Sequence, residues 1–393
     1  AIISHMLCLD CRYPARHKLV RGQVNCTLPR LRDCIGERRC YWRSMLKQRI
    51  TFIDGLRGVA AILVLFGHVL EQFIKLHPTA WIDQILDVTG FGRVGVVAFF
   101  CISGFVIPFS FQPQHPVPNF LISRFFRLYP AYWLSLVLAA LLIGEMGTRM
   151  LLANATMAPI LLGEPDAISV YWTLFIELLF YGLCLAMFML GLLQRTWALA
   201  LVAVGLWAAA AFAAVLAWID APIQPPTGIP AYLGIMLLGS VWRRAWLDRD
   251  PFARRLMPWL VATVVATVAV VGLLGYDESN YPDRPLADFL GVFVGLALFF
   301  AAFAFRDRLQ RRGAVWLGGI SYSLYLLHPL AVLVCSWLAQ SAGSVWLAAL
   351  YLALSVPLSL LVADVAYRLV ERPAVRLGKL LSRQTLGQNP ASA

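Results

Sequence analysis

Arg57 and His68 stand eleven residues apart in "LRGVAAILVLFGH" (56–68), a run that is otherwise almost wholly apolar. Eleven residues turn a helix through about 1100°, within about 20° of three full turns, so the two side chains share one face roughly 16 Å apart along its axis. Charge in the middle of a bilayer costs a few kcal/mol or more, so a face bearing both looks into a protein interior or a water-filled cavity. A second run, "SVYWTLFIELLFYG" (169–182), carries Glu177. If it enters from the opposite side, Glu177 lies about eight residues in, at nearly the depth of His68. A carboxylate within reach of an imidazole fixes its tautomer and stabilises its protonated form, which is what a general base acting on a hydroxyl requires. The plain alternative is that His68 and Glu177 are unrelated packing or hydrogen-bonding residues.

Three further groups have chemistry to offer. "NFLISRFFRLYPAYW" sets Arg124 and Arg127 three residues apart. On one helix they share a face and form a cationic pair suited to phosphate; equally, basic residues beside aromatic ones at the entry of a span are ordinary topology anchors. "VAFFCISGFVIPFS" holds Ser103 and Gly104 in mid-run. Packing explains these small residues best, and no GxSxG turn surrounds Ser103 to make it a hydrolase nucleophile. "WLGGISYSLYLLHP" contributes Tyr322, Tyr325 and His328, the last followed by Pro329. Here His328 either serves a site or marks a helix kink. Trp172, close before Glu177, completes the candidates.

The elements that must position these residues are read from composition. The chain is 60% hydrophobic and 14% charged, with a mean hydropathy of +0.72, far from a soluble mixture of about 25% charged residues. A spanning helix needs roughly 20 apolar residues. Ten such stretches are expected, at 52–75, 90–110, 128–148, 169–192, 196–218, 228–247, 256–275, 287–305, 314–337 and 344–369, so the fold is an all-α polytopic membrane protein. The net charge is +12, but residues 1–49 alone hold 11 Lys and Arg against 3 Asp and Glu. With the N-terminus in the cytoplasm, 17 basic residues of the remainder fall on the cytoplasmic side, while the opposite loops hold Lys75, Arg149 and Arg284. That asymmetry fits the positive-inside rule with both termini cytoplasmic, and nucleic-acid binding is unnecessary. The loops at 149–168 and 276–286 are short and carry no readable signature.

Ahead of the first span lie five of the eight cysteines, at 8, 11, 26, 34 and 40. "CLDC" has no second CxxC or HxxxH at zinc-module spacing, and a cytosolic segment disfavours disulfides. Residues 1–48 are therefore expected to be a basic extension that is not native, with translation starting at Met45; "SHM" at 4–6 has the look of a cloning scar. A small metal-binding or redox appendage is the alternative. No metal is expected in the membrane region, 49–373, and 374–393 is expected as a disordered cytoplasmic tail.

Taken together, "FIDGLRGVAAILVLFGH", "FFCISGFVIPFS", "RFFR" before "LYPAYW", "YWTLFIELLFY", "SYSLYLLHP" and the closing "ERP" (371–373) resemble the acyltransferase 3 family of integral membrane acyltransferases, in order over about residues 49–373. Cys101 departs from the apolar residue expected at its place. The resemblance implies a ten-span enzyme of the bacterial inner membrane that moves an acyl group, commonly acetyl from acetyl-CoA, onto a hydroxyl of a carbohydrate or other small acceptor. It implies His68 oriented by Glu177 as the base, and Arg124 and Arg127, with Arg57 lining the entrance, as the holders of acyl-CoA. Some members carry a fused SGNH hydrolase-like domain. The chain ends about 20 residues after "ERP", so it is expected to act alone or to pass the acyl group to a separate partner protein. The rival from another class is a proton-coupled secondary transporter, which also needs buried His, Glu and Arg; the absence of paired repeats or matched broken helices speaks against it.

Overall fold

The computed structural model describes residues 50–112, 115–144, 146–223, 225–275 and 285–385. Residues 1–49, with the five early cysteines and the expected start at Met45, lie outside them, as does Arg284. All regular elements among the described residues are helical, as a chain needs to be whose long apolar runs must satisfy their backbone groups internally. The long helices are α1 (Thr51–Leu76), α3 (Phe91–Val106, entered through α2, Ala80–Val88), α4 (Pro116–Ile143), α6 (Trp172–Met189), α7 (Thr196–Trp218), α8 (Gly228–Trp246), α9 (Pro251–Leu274), α10 (Pro285–Ala304), α12 (Arg312–Gln340) and α13 (Val345–Ala366); the shorter ones are α5 (Thr148–Ala155), α11 (Arg306–Leu309) and α14 (Arg372–Thr385). Among the described residues eight helical spans, α3 taken together with α2, are long and apolar enough to cross a bilayer. Of the ten expected, the exceptions are α8, whose last turn carries Arg243 and Arg244, and α10, whose apolar part is the shorter Phe289–Ala304. The protein is thus an all-α polytopic membrane protein.

Small residues set the helix crossings that bring the polar side chains together. At the α1–α12 crossing a Cβ on Gly58 would stand 2.7 Å from the Leu317 Cβ, and one on Gly318 would fall on the Asp54 carbonyl. At the α3–α8 crossing a Cβ on Gly104 would fall on the Met236 carbonyl and one on Gly239 on the Cys101 carbonyl, while Ser240 Oγ donates to the Gly104 oxygen at 2.9 Å. Without a hydrophobic drive between helices in lipid, such close approach is what holds them. Gly104 therefore does the packing expected of it, and Arg57, beside Gly58, is carried to the bundle interior.

Two stretches depart from expectation. The segment after α4 does not lead straight to the next spanning helix. Gly144 ends α4 in the left-handed conformation, φ +76°, and the chain turns back along the helix it has just left. Tyr132 Oη donates to the Asn154 carbonyl at 2.7 Å, Trp133 Nε1 to Ala155 at 3.0 Å and Tyr129 Oη to Thr156 at 3.1 Å. Those tyrosines and Trp133 stand 10 to 14 residues before the end of α4, roughly 15–21 Å back along it. The second departure is the expected disordered tail. Residues 374–385 continue as helix α14, which packs on α4, where Ser382 Oγ donates to Asn119 Oδ1; 386–393 lie outside the described residues.

Candidate active site

A cleft of about 740 Å³, open mouth included, lies among α1, α3, α4, α6 and α12. Arg57, Arg124, Arg127, Glu177 and Tyr181 line one part of it, Ser103 and Tyr322 lie along it, and Thr173 and Tyr325 line the other end. The structure thus gathers all three expected arginines with Glu177 and Ser103. It does so because Arg124 and Arg127 lie two to three turns inside α4, which begins at Pro116, rather than ahead of a span starting at 128.

The three cations differ. Arg57 faces Asp54 one turn earlier at 3.5 Å. Arg127 donates from Nη1 to Glu371 at 2.7 Å, and the second oxygen of that buried carboxylate accepts from Ser323 Oγ at 2.6 Å. Arg124 has no carboxylate partner among the described residues. Its Nη2 donates to Ser110 Oγ at 2.6 Å, its guanidinium lies over Phe120 at 5.3 Å and Tyr181 at 5.4 Å, and its Nε is buried without a hydrogen-bond partner. An arginine with donors to spare on a cleft wall is equipped to take a carboxylate or phosphate.

The expected pairing of His68 with Glu177 is replaced by another. The carboxylate beside His68 is Glu71, one turn on, with Oε2 3.3 Å from Nδ1; Glu177 instead accepts from Tyr181 Oη at 2.6 Å. The reason is depth. The segment returning along α4 delivers Tyr171 to Ser135 Oγ at 2.8 Å, so α6 starts far inside the bundle. Glu177, five residues on, comes level with the arginines.

His68 has a second neighbour, His328, with ring centroids 5.1 Å apart. Pro329 lies within the continuous helix α12. His328 is fully buried, with Nδ1 3.0 Å from the Leu324 carbonyl and Nε2 without a partner. Tyr325 joins this pair to the cleft: its ring lies 5.9 Å from that of His328, and its hydroxyl meets Thr173 Oγ1 at 2.8 Å. His68 itself does not line the cleft; it stands beyond Tyr325 and His328. Trp172 is outside the lining too, with Arg93 5.4 Å from its ring.

Sequence reasoning missed Arg93, which also donates to Tyr232 Oη at 2.6 Å, although an arginine in an apolar run is the signal that singled out Arg57. It missed Tyr181 and Thr173, which carried no signal beyond being polar within a span. Among the described residues no three His, Cys, Asp or Glu side chains cluster to hold a metal.

Comparison with known proteins gives this arrangement a context. The family described as an acyltransferase domain matches residues 50–367. The chain is 27% identical to "Nodulation protein 10" of Rhizobium leguminosarum bv. viciae over 82% of the chain and 93% of that protein. It is 30% identical to "Exopolysaccharide production protein ExoZ" of Rhizobium meliloti over 73% and 91%, and 25% identical to "Acyltransferase MdmB" of Streptomyces mycarofaciens over 84% and 92%. No solved structure matches.

Proposed function

Since the chain belongs to the acyltransferase family matched over residues 50–367 and is a multi-pass membrane O-acyltransferase, we propose that it moves an acyl group, acetyl above all, from acyl-CoA to a hydroxyl of a cell-surface carbohydrate or similar small acceptor. The observation that carries this reading is the cleft with Arg57, Arg124 and Arg127 in one part and Tyr325 at the other end, with the His68–His328 pair beyond. The arginine end is cytoplasmic in this reading, and the membrane is the bacterial inner membrane. The phosphates of acyl-CoA lie against Arg124 and Arg127, and its pantetheine arm extends past Tyr325 toward His68.

Arg57 and His68 lie roughly 16 Å apart along α1, a distance an extended thiol-ended arm must cover for the thioester to meet an acceptor entering from the opposite end. His68, with Glu71 beside Nδ1, takes the proton of the acceptor hydroxyl. The alkoxide forms the new C–O bond, the C–S bond breaks, and the proton passes to the departing thiolate of CoA. Carbohydrate is favoured as acceptor by the relative named for exopolysaccharide production. A separate protein that accepts the acyl group fits the same chemistry. Transport of an unmodified solute has nothing in its favour beyond buried polar groups.

Replacement His68→Ala tests the reading. With the protein inserted and monodisperse in detergent, acyl-CoA-dependent transfer is expected to fall by about 10²–10⁴-fold, the contribution of a general base. Full activity in that variant removes His68 from the chemistry. The acceptor is sought by mass spectrometry of surface glycans with and without the protein, as an acyl-sized mass difference.

A further inference from the structure

The chain leaves α13 through a π-helical turn, Tyr367–Glu371, before α14 begins. The buried stripe of α13 runs Ala348, Leu352, Ser355, Ser359, Ala363 and Ala366, in steps of three and four. Continued as an α-helix, its next member is position 370, a valine, and position 371 turns about 100° away from it, off the buried stripe. A π-turn accommodates one extra residue, and such turns gather at functional sites. Here it shifts the register so that Glu371 takes the buried place, at 1% exposure. Packing alone favours the opposite choice, since Val370 would fill the stripe with no hydrogen bonds to satisfy.

What the turn delivers is a carboxylate with both oxygens engaged, one by Arg127 and the other by Ser323. The remaining N–H groups of Arg127 have no hydrogen-bond partner among the described residues, none is sealed from solvent, and the residue lines the cleft. The segment beyond Glu371 is registered on α4 at two further levels, Gly378 against Phe126 and Ser382 on Asn119, so the carboxylate is fixed relative to the arginines from outside α4.

We propose that Glu371, set in place by the π-turn, is a positioning residue of the donor site: it holds Arg127 from one side so that the free edge of the guanidinium meets the anionic groups of the donor. This rests on the reading of Arg124 and Arg127 as the donor's anion site. A plain electrostatic view predicts the reverse, because a carboxylate beside an anion site repels the ligand, and its removal then tightens binding.

The sign separates the two. Coenzyme A is titrated by calorimetry into the full chain purified in detergent, with thermal unfolding and gel filtration as checks of folding. Glu371→Ala is expected to raise the Kd roughly tenfold, the weight of one charge-assisted hydrogen bond. Glu371→Gln, which keeps an oxygen for Arg127, is expected to stay within about threefold of wild type. If Glu371→Ala does not fold, Ser323→Ala, which releases the other carboxylate oxygen, is expected to raise the Kd about threefold. Unchanged or tighter binding in a folded Glu371→Ala or Ser323→Ala protein overturns the proposal, as does equal loss in Ala and Gln variants. Arg124→Gln is the control. If it and wild type bind coenzyme A alike, the donor site itself is misplaced; if it loses affinity while the Glu371 and Ser323 variants do not, the positioning role alone falls.

Discussion

Arg124 and Arg127 are a turn apart on α4 and line one cleft, yet they do not carry equal weight. Glu371 already neutralises Arg127 at 2.7 Å, whereas Arg124 is met only by a hydroxyl and two aromatic faces. Replacing Arg124 with Gln therefore removes the least compensated positive charge of the cleft. A hydrogen bond to a charged group is worth about 1.5–3 kcal/mol, and a tenfold change in affinity corresponds to about 1.4 kcal/mol, so the KM for acyl-CoA is expected to rise about 10- to 150-fold. The contact is made to a part of the donor remote from the thioester and is the same in ground and transition states, so kcat stays within a few-fold of wild type. The assay is the initial rate of transfer in membrane vesicles at saturating acceptor, with acyl-CoA varied over at least three decades. Because the cation–π contacts with Phe120 and Tyr181 are lost as well, at about 0.5–1 kcal/mol each, protein amount and folding are measured in parallel. An unchanged KM reduces Arg124 to a topology anchor. A collapse of kcat at constant KM moves it into the chemical step, and a larger KM effect at Arg127 than at Arg124 refutes the ranking by compensation.

Two other outcomes follow from the helix crossings and caps. Gly104→Val places side-chain atoms where the Met236 backbone stands, and backbone cannot yield as a flexible side chain does; a loss of at least about 1–3 kcal/mol is expected, read as a lower midpoint of thermal unfolding in detergent, and an unchanged midpoint refutes the close α3–α8 approach. Asp250 caps α9; partial burial works to raise its pKa, but hydrogen bonds from Thr196 Oγ1 and the backbone N–H groups of Phe252 and Ala253 outweigh it and hold the group below the usual carboxylate value. A folded-state pKa below the unfolded one stabilises the protein above the unfolded value, about 3.9, and this contribution is lost as pH falls through the folded one. Thr196→Val, which removes one of those donors, is expected to lower the unfolding midpoint above about pH 4 and to leave it closer to wild type near pH 2; equal loss at both pH values contradicts the assignment.

How much could be read beforehand depended on whether periodicity alone decided the matter. Arg57 and His68 are placed by α1's own repeat, and helix α1 runs unbroken from Thr51 to Leu76, so their common face needed nothing from the rest of the chain. The polar residues of α12 were equally visible, and Gly104 announced a close crossing without naming its partner, Met236. Depth was a different matter. Placing Glu177 level with His68 took the start of its run for a membrane surface, but hydrogen bonds from Tyr129, Tyr132 and Trp133 to the returning segment are tertiary facts with no period.

Glu371 was visible only as part of the closing "ERP", and its burial beside Arg127 could not be read for a related reason. An i, i+3, i+4 reading of α13 puts Val370 inside, and a single π-turn reverses that, marked in the sequence only by Pro373 two residues beyond it. Both misreadings concern residues that end up beside the arginines, and their cause is shared. The cleft is assembled where the chain abandons straight spanning geometry, by a segment folded back along α4 on one side and a helix with one extra residue on the other. The arginines themselves stand on the unbroken helices α1 and α4, and the departures bring the carboxylates of Glu177 and Glu371 beside them.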